Sequence, residues 1–460
     1  MNPRLPLAAL LSLALIAFPS AAQSPVADDY RRTTDTLIES AMKSSFAYDR
    51  LAYLSDRIGN RLSGSPKLDQ AIAWAKREMT ADGLENVHTE MVMVPRWVRG
   101  KESAELVAPT KRSMKMLGLG GSVGTVRRGV TAEVVTVSDF AELDRRGAAG
   151  EIKGKIVCYN APFTQYGETV RYRTGGATRA AKWGAVASLT RSVGTRSLQT
   201  PHTGAMRYDD KTAKIPAAAI TVEDAEALAR MQRRGEHPVV TLKMEARTLS
   251  DVPSANVIAE WRGREKPEEI VLIGGHLDSW DVGTGSNDDG GGCVAAWEAV
   301  RLLKTLNLRP RRTVRVVLFT NEENGLRGGS DYAKAHSNEI PDHVFALESD
   351  SGVGKPLGFS LNAGTIAALK PLLVDLLKET GATNIEVGGG GADISPLLSS
   401  GVPGGELTND MTTYWQIHHT EADTMDKIDP KEFKQCVAAL AVLTYVAAEA
   451  PERLPRTRPR

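Results

Sequence analysis

Histidine and carboxylate residues crowd one stretch of this 460-residue chain, in a pattern suited to holding metal ions. Between Val271 and Asp350 stand His276 and Asp278 in GGHLDSW, Asp288 in SNDDGGG, Glu322 and Glu323 in TNEENGLRGG, and Glu348 and Asp350 in ALESD. A histidine pair, His418-His419, follows in HHTEADTM. Two metal ions acting together need His or carboxylate ligands on each ion and one carboxylate shared between them. His276, Asp288, Glu323, Asp350 and one of His418 or His419 supply that set. Asp288 sits in a glycine-rich turn at the mouth of a helix, where it can bridge two ions. The i,i+2 spacing of His276 and Asp278 sets both on one strand face, so the Asp278 carboxylate can accept the second imidazole N–H and fix the tautomer. Glu322 and Glu323 read as neighbours on an extended chain, pointing opposite ways. One can then bind metal while the other faces the substrate water, as general base and later acid of metal-assisted hydrolysis.

Each of these signals is weak alone, because an HxD pair or a double Glu is ordinarily solvated surface. What joins them is the elements that must carry them. Residues 270–273, 313–319 and 343–347 are short apolar runs that read as buried strands. Helical stretches such as 293–306 separate them, which implies parallel strands joined by crossovers. In such sheets ligands bind beyond the carboxyl ends of the strands, so three strands deliver their ligands to one crevice. The GTG at 283–285 lacks the spacing and the preceding strand of a phosphate loop.

Around this centre, the length allows two domains. Residues 1–22 read as a signal peptide, with Arg4 ahead of an apolar run and Ser20-Ala21-Ala22 at the cleavage site, which predicts a secreted or periplasmic protein. Residues 29–59 read as a helix ended by Gly59, 65–82 as a second, and 87–94 as a strand. From 102 to 250 short strands (132–137, 155–159, 185–189, 217–220, 239–244) alternate with helices at 177–184 and 222–232, a separate α/β module inserted between residues 23–101 and 251–450. His88, His202 and His237 lack an acidic neighbour at ligand spacing or stand alone, and read as surface or core. Residues 361–380 read as a helix broken at Pro371, and 430–448 as a final helix. The glycine run 388–391 predicts close backbone approach, and Asp393 after it is a helix cap or a substrate-contacting acid. The tail 451–460 reads as solvated and basic. With 57 basic and 56 acidic residues, nothing points to nucleic acid. Cys158, Cys293 and Cys436 read as buried small hydrophobes, with one disulfide left open.

The quoted motifs resemble the co-catalytic di-zinc exopeptidase family that includes aminopeptidase Y and glutamate carboxypeptidase. The likeness extends through KIVCYNAP, YRTGGATRAAKWGAVASLTRSV and PHTGAMRY, and the inserted module resembles a protease-associated domain. The resemblance implies an α/β fold with a mixed, largely parallel sheet covered by helices on both faces. It implies two zinc ions per chain, one on His276, Asp350 and Asp288 and the other on His419, Glu323 and Asp288, with the pairing open in detail. Glu322 would be the general base. His419 fits the family frame better than His418; the oxyanion donor is left between Tyr414 and His418. A cis peptide between Asp288 and Asp289, a small peptide substrate and a homodimer are implied as well, and Trp280, beside Asp278, stands in a loop near the crevice. A receptor-like ectodomain on this fold should lack a ligand or the base, and a glutaminyl cyclase-like acyltransferase keeps one zinc; the complete set speaks for a peptidase acting on dipeptides or short peptides with free ends. Carboxypeptidase and aminopeptidase action are not separated by these residues.

Overall fold

The computed structural model describes residues 25–196 and 198–457, so the expected signal peptide at 1–22 lies outside the described residues. The chain enters its first strand, β1 (Glu85–Val98), after three helical segments. It then builds β2 (Glu102–Ala108), β3 (Arg112–Met114), β4 (Met116–Gly118), β5 (Val130–Val137), β6 (Ile156–Tyr159), β7 (Ala187–Arg191), β8 (Ala217–Ile220) and β9 (Val239–Met244). It returns as β10 (Arg247–Trp261), antiparallel to β1, and continues through β11 (Lys266–His276), β12 (Arg312–Phe319), β13 (His343–Glu348), β14 (Pro356–Leu361), β15 (Asn384–Val387) and β16 (Gly404–Asn409). Among the described residues these form two eight-stranded sheets, ordered β1-β10-β12-β11-β13-β16-β14-β15 and β3-β2-β9-β5-β6-β7-β8-β4. The first is mixed: β12, β11, β13 and β16 run parallel at its centre, β10 and β14 flank them antiparallel, and the edge strands β1 and β15 pair antiparallel with β10 and parallel with β14, respectively.

Alternation along the central strands explains why helices cover both faces. Val271 and Ile273 of β11, Val314, Val316 and Leu318 of β12, and Phe345 and Leu347 of β13 face one core, shared with helices Gly291–Thr305 and Pro430–Glu449. Leu272, Val317, Phe319 and Ala346 face the other, against Tyr332 and Ala333 of helix Arg327–Ala335. Burying one such side chain stabilises the fold by about 1.5–3 kcal/mol, and a slip of one residue would exchange the faces. From β11 the chain crosses to β12 on one side, then back over β11 to β13 on the other. The strand order therefore reverses at β11, and a crevice opens there beyond the carboxyl ends.

Several expectations change. The helix expected over 29–59 is interrupted: Pro25–Lys43 and Phe46–Tyr53 are separate, and a wider turn, Leu54–Ile58, precedes Gly59 at φ +81. Ser44 Oγ accepts from Phe46 N at 3.1 Å, and Ser45 Oγ donates to Asp49 at 2.7 Å, local bonds that compete with the helical ladder. Helix Ala363–Leu376 runs through Pro371 without a break; Pro371 and Ala367, whose carbonyl loses its partner, are both exposed, so water can take the bond. Strands β2, β3, β4, β14, β15 and β16 and helix Phe140–Ala148 carry no clear sequence signal, being short or interrupted by Gly and Pro. All three cysteines are buried and unpaired. No helix of the described residues is long and apolar enough to cross a membrane.

The described part of the tail, 451–457, is largely exposed, as expected, but it is also pinned. Arg453 pairs with the buried Glu269 at 2.9 Å and with Asp342 at 3.1 Å, Leu454 is buried, and Arg456 donates to the carbonyl of His343 at 3.2 Å. Glu269 also binds the fully buried Arg312 of β12, so the tail helps neutralise a charge inside the sheet. Truncation after Ala450 should lower Tm by about 2–4 °C, the equivalent of roughly 1 kcal/mol in a large domain; an unchanged melting curve by scanning fluorimetry would show that these contacts add nothing.

Candidate metal centre

Three parallel strands and one late loop bring the expected ligands together. His276 ends β11, and its Nε2 lies 3.2 Å from Asp288 Oδ1 and 3.2 Å from Asp350 Oδ1. His419 Nε2 lies 3.0 Å from Glu323 Oε2 and 3.3 Å from Asp288 Oδ2. The two oxygens of Asp288 thus face two separate histidine–carboxylate pairs. Asp288 Oδ2 and Glu323 Oε1 are buried and accept no hydrogen bond. Buried anionic oxygens without donors are costly unless a cation meets them, so the site fits two cations sharing Asp288.

Asp289 and His418 also come within ligand reach. Asp289 is engaged elsewhere: Oδ2 accepts from His276 N at 3.0 Å and Oδ1 from Gly292 N at 3.1 Å. A Cβ at Gly275 or Gly292 would stand 2.3 or 2.2 Å from those oxygens, so the second and third glycines of the GGH and GGG runs are required by this carboxylate. The Asp288–Asp289 peptide is cis, as the resemblance implied. His418 reaches Asp288 Oδ2 at 3.5 Å and its ring stacks on His419 at 3.6 Å. Of the two, His419 alone also has Glu323 as an ion-pair neighbour, which favours it as the ligand. Tyr414 and His418 both line the cleft, whose volume is about 390 Å³.

Two local expectations are corrected. The Asp278 carboxylate does not hold the His276 imidazole. Nδ1 instead meets the Asp278 backbone carbonyl at 3.0 Å, while the nearest carboxylate oxygen is 3.9 Å away. That carboxylate accepts from Glu322 N at 3.1 Å and from Ser63 Oγ at 3.0 Å, so it fixes the backbone that carries Glu322. Nor is Glu322-Glu323 extended. Asn321 takes a left-handed conformation (φ +66) and Glu322–Gly325 forms a helical turn, so both carboxylates enter the cleft, Glu323 toward His419 and Glu322 Oε2 to 4.0 Å from His276 Nε2.

Other residues, to which the sequence alone assigns no role, help build the site. Arg61, fully buried, donates to the carbonyls of Leu277 (2.6 Å), Thr284 (2.6 Å) and Gly285 (2.9 Å), closing the loop between His276 and Asp288. Asp423, inside the HHTEADTM motif, accepts from Asn287 N at 2.8 Å and Asp288 N at 3.1 Å and so holds the bridging turn. From the second sheet's segment come Tyr166, Arg173, His202 and Thr203; His202 is buried near His419, whereas His88 and His237 stay on the surface beside Glu90 and Glu133. Trp280 is buried within the chain: its ring fills the space a Cβ at Gly120 would need and lies 5.6 Å from His419. Asp393 does not cap its own helix. It is buried, and Oδ1 accepts from Gly329 N at 3.2 Å, at the start of helix Arg327–Ala335. The glycine run does approach closely, with Gly390 against Glu406 and Gly391 against Glu348.

So many buried carboxylates repel one another. Burial, reinforced by Asp350 and Glu323, holds Glu322 well above the usual carboxylate range. Burial penalises the His276 imidazolium, but Asp350 and Asp288 outweigh it and raise its pKa well above the ordinary value. Burial opposes ionised Asp288 too, yet the adjoining His276 and His419 imidazoles pull it well below. Burial and Asp350 push Glu348 up to about 8 and Glu406 to about 7. A carboxyl whose folded pKa exceeds its unfolded one holds a proton in the native state that the unfolded chain has released, so stability falls as pH rises from about 4.3 through the folded value. Bound cations supply that missing positive charge and displace the protons. Chelation should therefore lower Tm more at pH 8 than at pH 6; an equal drop at both, by calorimetry, would contradict this electrostatic account.

Comparison with known proteins agrees with the geometry. Residues 256–444 match the model of peptidase family M28. Carboxypeptidase Q of Mus musculus is 47% identical over 89% of this chain and 87% of that protein, and its Homo sapiens counterpart is 46% identical over the same shares. The crystal structure of a peptidase M28 precursor from Shewanella amazonensis superposes with a TM-score of 0.90 at 35% identity, covering 94% of this chain and all of that one. The zinc aminopeptidase BSAP of Bacillus subtilis shares the fold, with a TM-score of 0.67 at 21% identity over 90% of this chain and 98% of its own. With nearly half of the residues identical across most of both chains, and with the ligands gathered as described, this chain belongs to peptidase family M28 and is a metallopeptidase.

Proposed function

We propose that this zinc metallopeptidase is an exopeptidase that cleaves dipeptides or short peptides bearing a free C-terminal carboxylate. The observation that carries this reading is Arg173. It reaches the cleft from the segment that builds the second sheet, donating to Tyr166 Oη at 2.8 Å and to the Thr203 carbonyl at 3.1 Å. Its Nη1 also lies 3.3 Å from His419 Nδ1; no carboxylate among the described residues pairs with it, and its Nε is buried without an acceptor. An unpaired guanidinium opposite a carboxylate-rich wall suits a substrate carboxylate.

Two zinc ions fit the centre, one on His276 and Asp350, the other on His419 and Glu323, with Asp288 shared. When bound they supply Lewis acidity and lower the pKa of water. Glu322, held through its backbone by Asp278, takes the proton from the water that attacks the scissile carbonyl and returns it to the leaving amine. Tyr414 or His418 donates a hydrogen bond to the carbonyl oxygen as it gains charge. Arg173 fixes the carboxylate end. The cleft volume of about 390 Å³, closed by the Tyr166–Trp415 stack at 4.8 Å, favours short substrates. Export guided by residues 1–22 and assembly as a homodimer complete the reading, as does a division into an inserted module over 102–250 and a peptidase domain on either side of it.

Glu322→Gln should keep its zinc and lose about 10²–10⁴-fold in kcat; undiminished turnover by metal-replete protein would remove Glu322 from the mechanism. Arg173→Met should raise KM at least tenfold for dipeptides with a free carboxylate and leave their C-amidated analogues unaffected. If blocking the amine abolishes cleavage and Arg173→Met changes nothing, the enzyme is an aminopeptidase.

A further inference from the structure

The ligand His419 is oriented by a residue from outside the first sheet. Thr203 lies between β7 and β8, yet its backbone brackets His419 with both polar groups: Thr203 N donates to the His419 carbonyl at 2.9 Å, and the Thr203 carbonyl lies 3.3 Å from His419 Nδ1. Arg173 Nη1 also lies 3.3 Å from Nδ1 and donates to the same carbonyl at 3.1 Å. When Nε2, turned to Glu323 and Asp288, binds a cation, Nδ1 keeps its proton, and the Thr203 carbonyl is its acceptor because a guanidinium only donates. His419 is held in a left-handed conformation, φ +60, that a free chain would rarely keep.

Arg173 thus holds the Thr203 carbonyl, and Arg99, on the connection between β1 and β2, holds the Thr203 side chain. Arg99 Nη2 donates to Thr203 Oγ1 at 3.3 Å, its Nη1 to the Gly118 carbonyl, and its Nε to Asp281 Oδ2 at 2.9 Å. Thr203 Oγ1 in turn donates to the Gly118 carbonyl at 2.8 Å. Asp281 belongs to the loop between the ligands His276 and Asp288. A single guanidinium, only 10% exposed, therefore ties the loop of one ligand pair to the residue that orients the other. Lysine cannot reproduce this, since one ammonium lacks the planar fork that spans both partners.

We propose that Arg99 is a positioning residue of the metal centre, coupling the His276–Asp288 loop through Asp281 to His419 through Thr203. It touches neither metal ligand, so its removal acts on the His419–Glu323 site without deleting a donor. The proposal rests on the two-ion reading above.

The test is zinc affinity, read by competition with a chromophoric chelator, for wild type, Arg99→Ala, Arg99→Lys and Thr203→Val. Wild type should bind two ions. Arg99→Ala should bind one ion as wild type does and the other about 10–100-fold more weakly, the usual loss when a partner behind a ligand is removed. At low zinc kcat should fall with KM unchanged, and it should recover when zinc is raised. Arg99→Lys should be intermediate. Thr203→Val keeps the backbone carbonyl and the Arg99–Asp281 pair but cuts the link, so it should weaken the same site alone; it also serves if Arg99→Ala does not fold. Unchanged affinities in the folded variants, or equal weakening of both ions, would overturn the proposal. A wild-type count of one ion would refute the two-ion reading instead, and the proposal would then be judged by whether that ion's affinity responds to Thr203→Val.

Discussion

The shared carboxylate of Asp288 is the constraint on which the site depends. Its two oxygens face His276 on one side and His419 on the other, and the residue lies in a buried turn at the wall of the cleft. Around it stand the buried Glu323 and Glu348 and the half-buried Glu322 and Asp350, carboxyls whose ionised forms are disfavoured by desolvation and by one another. Such a cluster is tolerable protonated or neutralised by cations, and catalysis near neutral pH needs the second state. Metal affinity, native stability and the protonation of Glu322 are therefore linked through one electrostatic term.

The supports of Asp288 are correspondingly redundant. Asp423 receives the backbone N–H groups of Asn287 and Asp288, Arg61 closes the loop from Leu277 to Gly285, and Asp289 ties the turn to the backbone of His276. All three anchors are buried charged groups. Removing one partner would leave another group unpaired, which costs far more than the pair itself contributes. Rigidity here is achieved with side-chain-to-backbone bonds because a glycine-rich turn has too few side chains to pack. The glycines are needed so that Asp289 can approach Gly275 and Gly292 at van der Waals distance.

The second sheet adds what the first lacks. The first sheet is rich in carboxylates at its carboxyl ends; the other segment brings Arg173, Tyr166 and the Thr203 carbonyl to the opposite wall of the same cleft. Trp280, packed against Gly120 and beside His419, seals the junction with apolar surface. Both walls are thus matched in charge to the two ends of the cleft, and polar contacts gain strength as water is excluded.

The central strands, the crossover between them and the cluster of candidate ligands are all legible in the sequence. Val271–Ile273, Val314–Leu318 and Phe345–Leu347 are apolar on both faces, and each run is followed at once by metal-binding side chains, so a parallel sheet with ligands at one end is legible from local pattern alone. His276, Asp288, Glu323, Asp350 and His419 all meet in the structure. Only the tertiary structure decided how they are held. Asp278 was placed behind the imidazole from spacing, but the chain turns after His276 and presents a carbonyl instead, leaving the carboxylate for Glu322 N. The double Glu was read as extended, but a left-handed Asn321 starts a turn. Arg61, Arg99, Arg173 and Thr203 have no role legible in local pattern because each has a partner 100 or more positions away, and nothing in local periodicity encodes a contact between segments that meet only when two sheets close on one cleft.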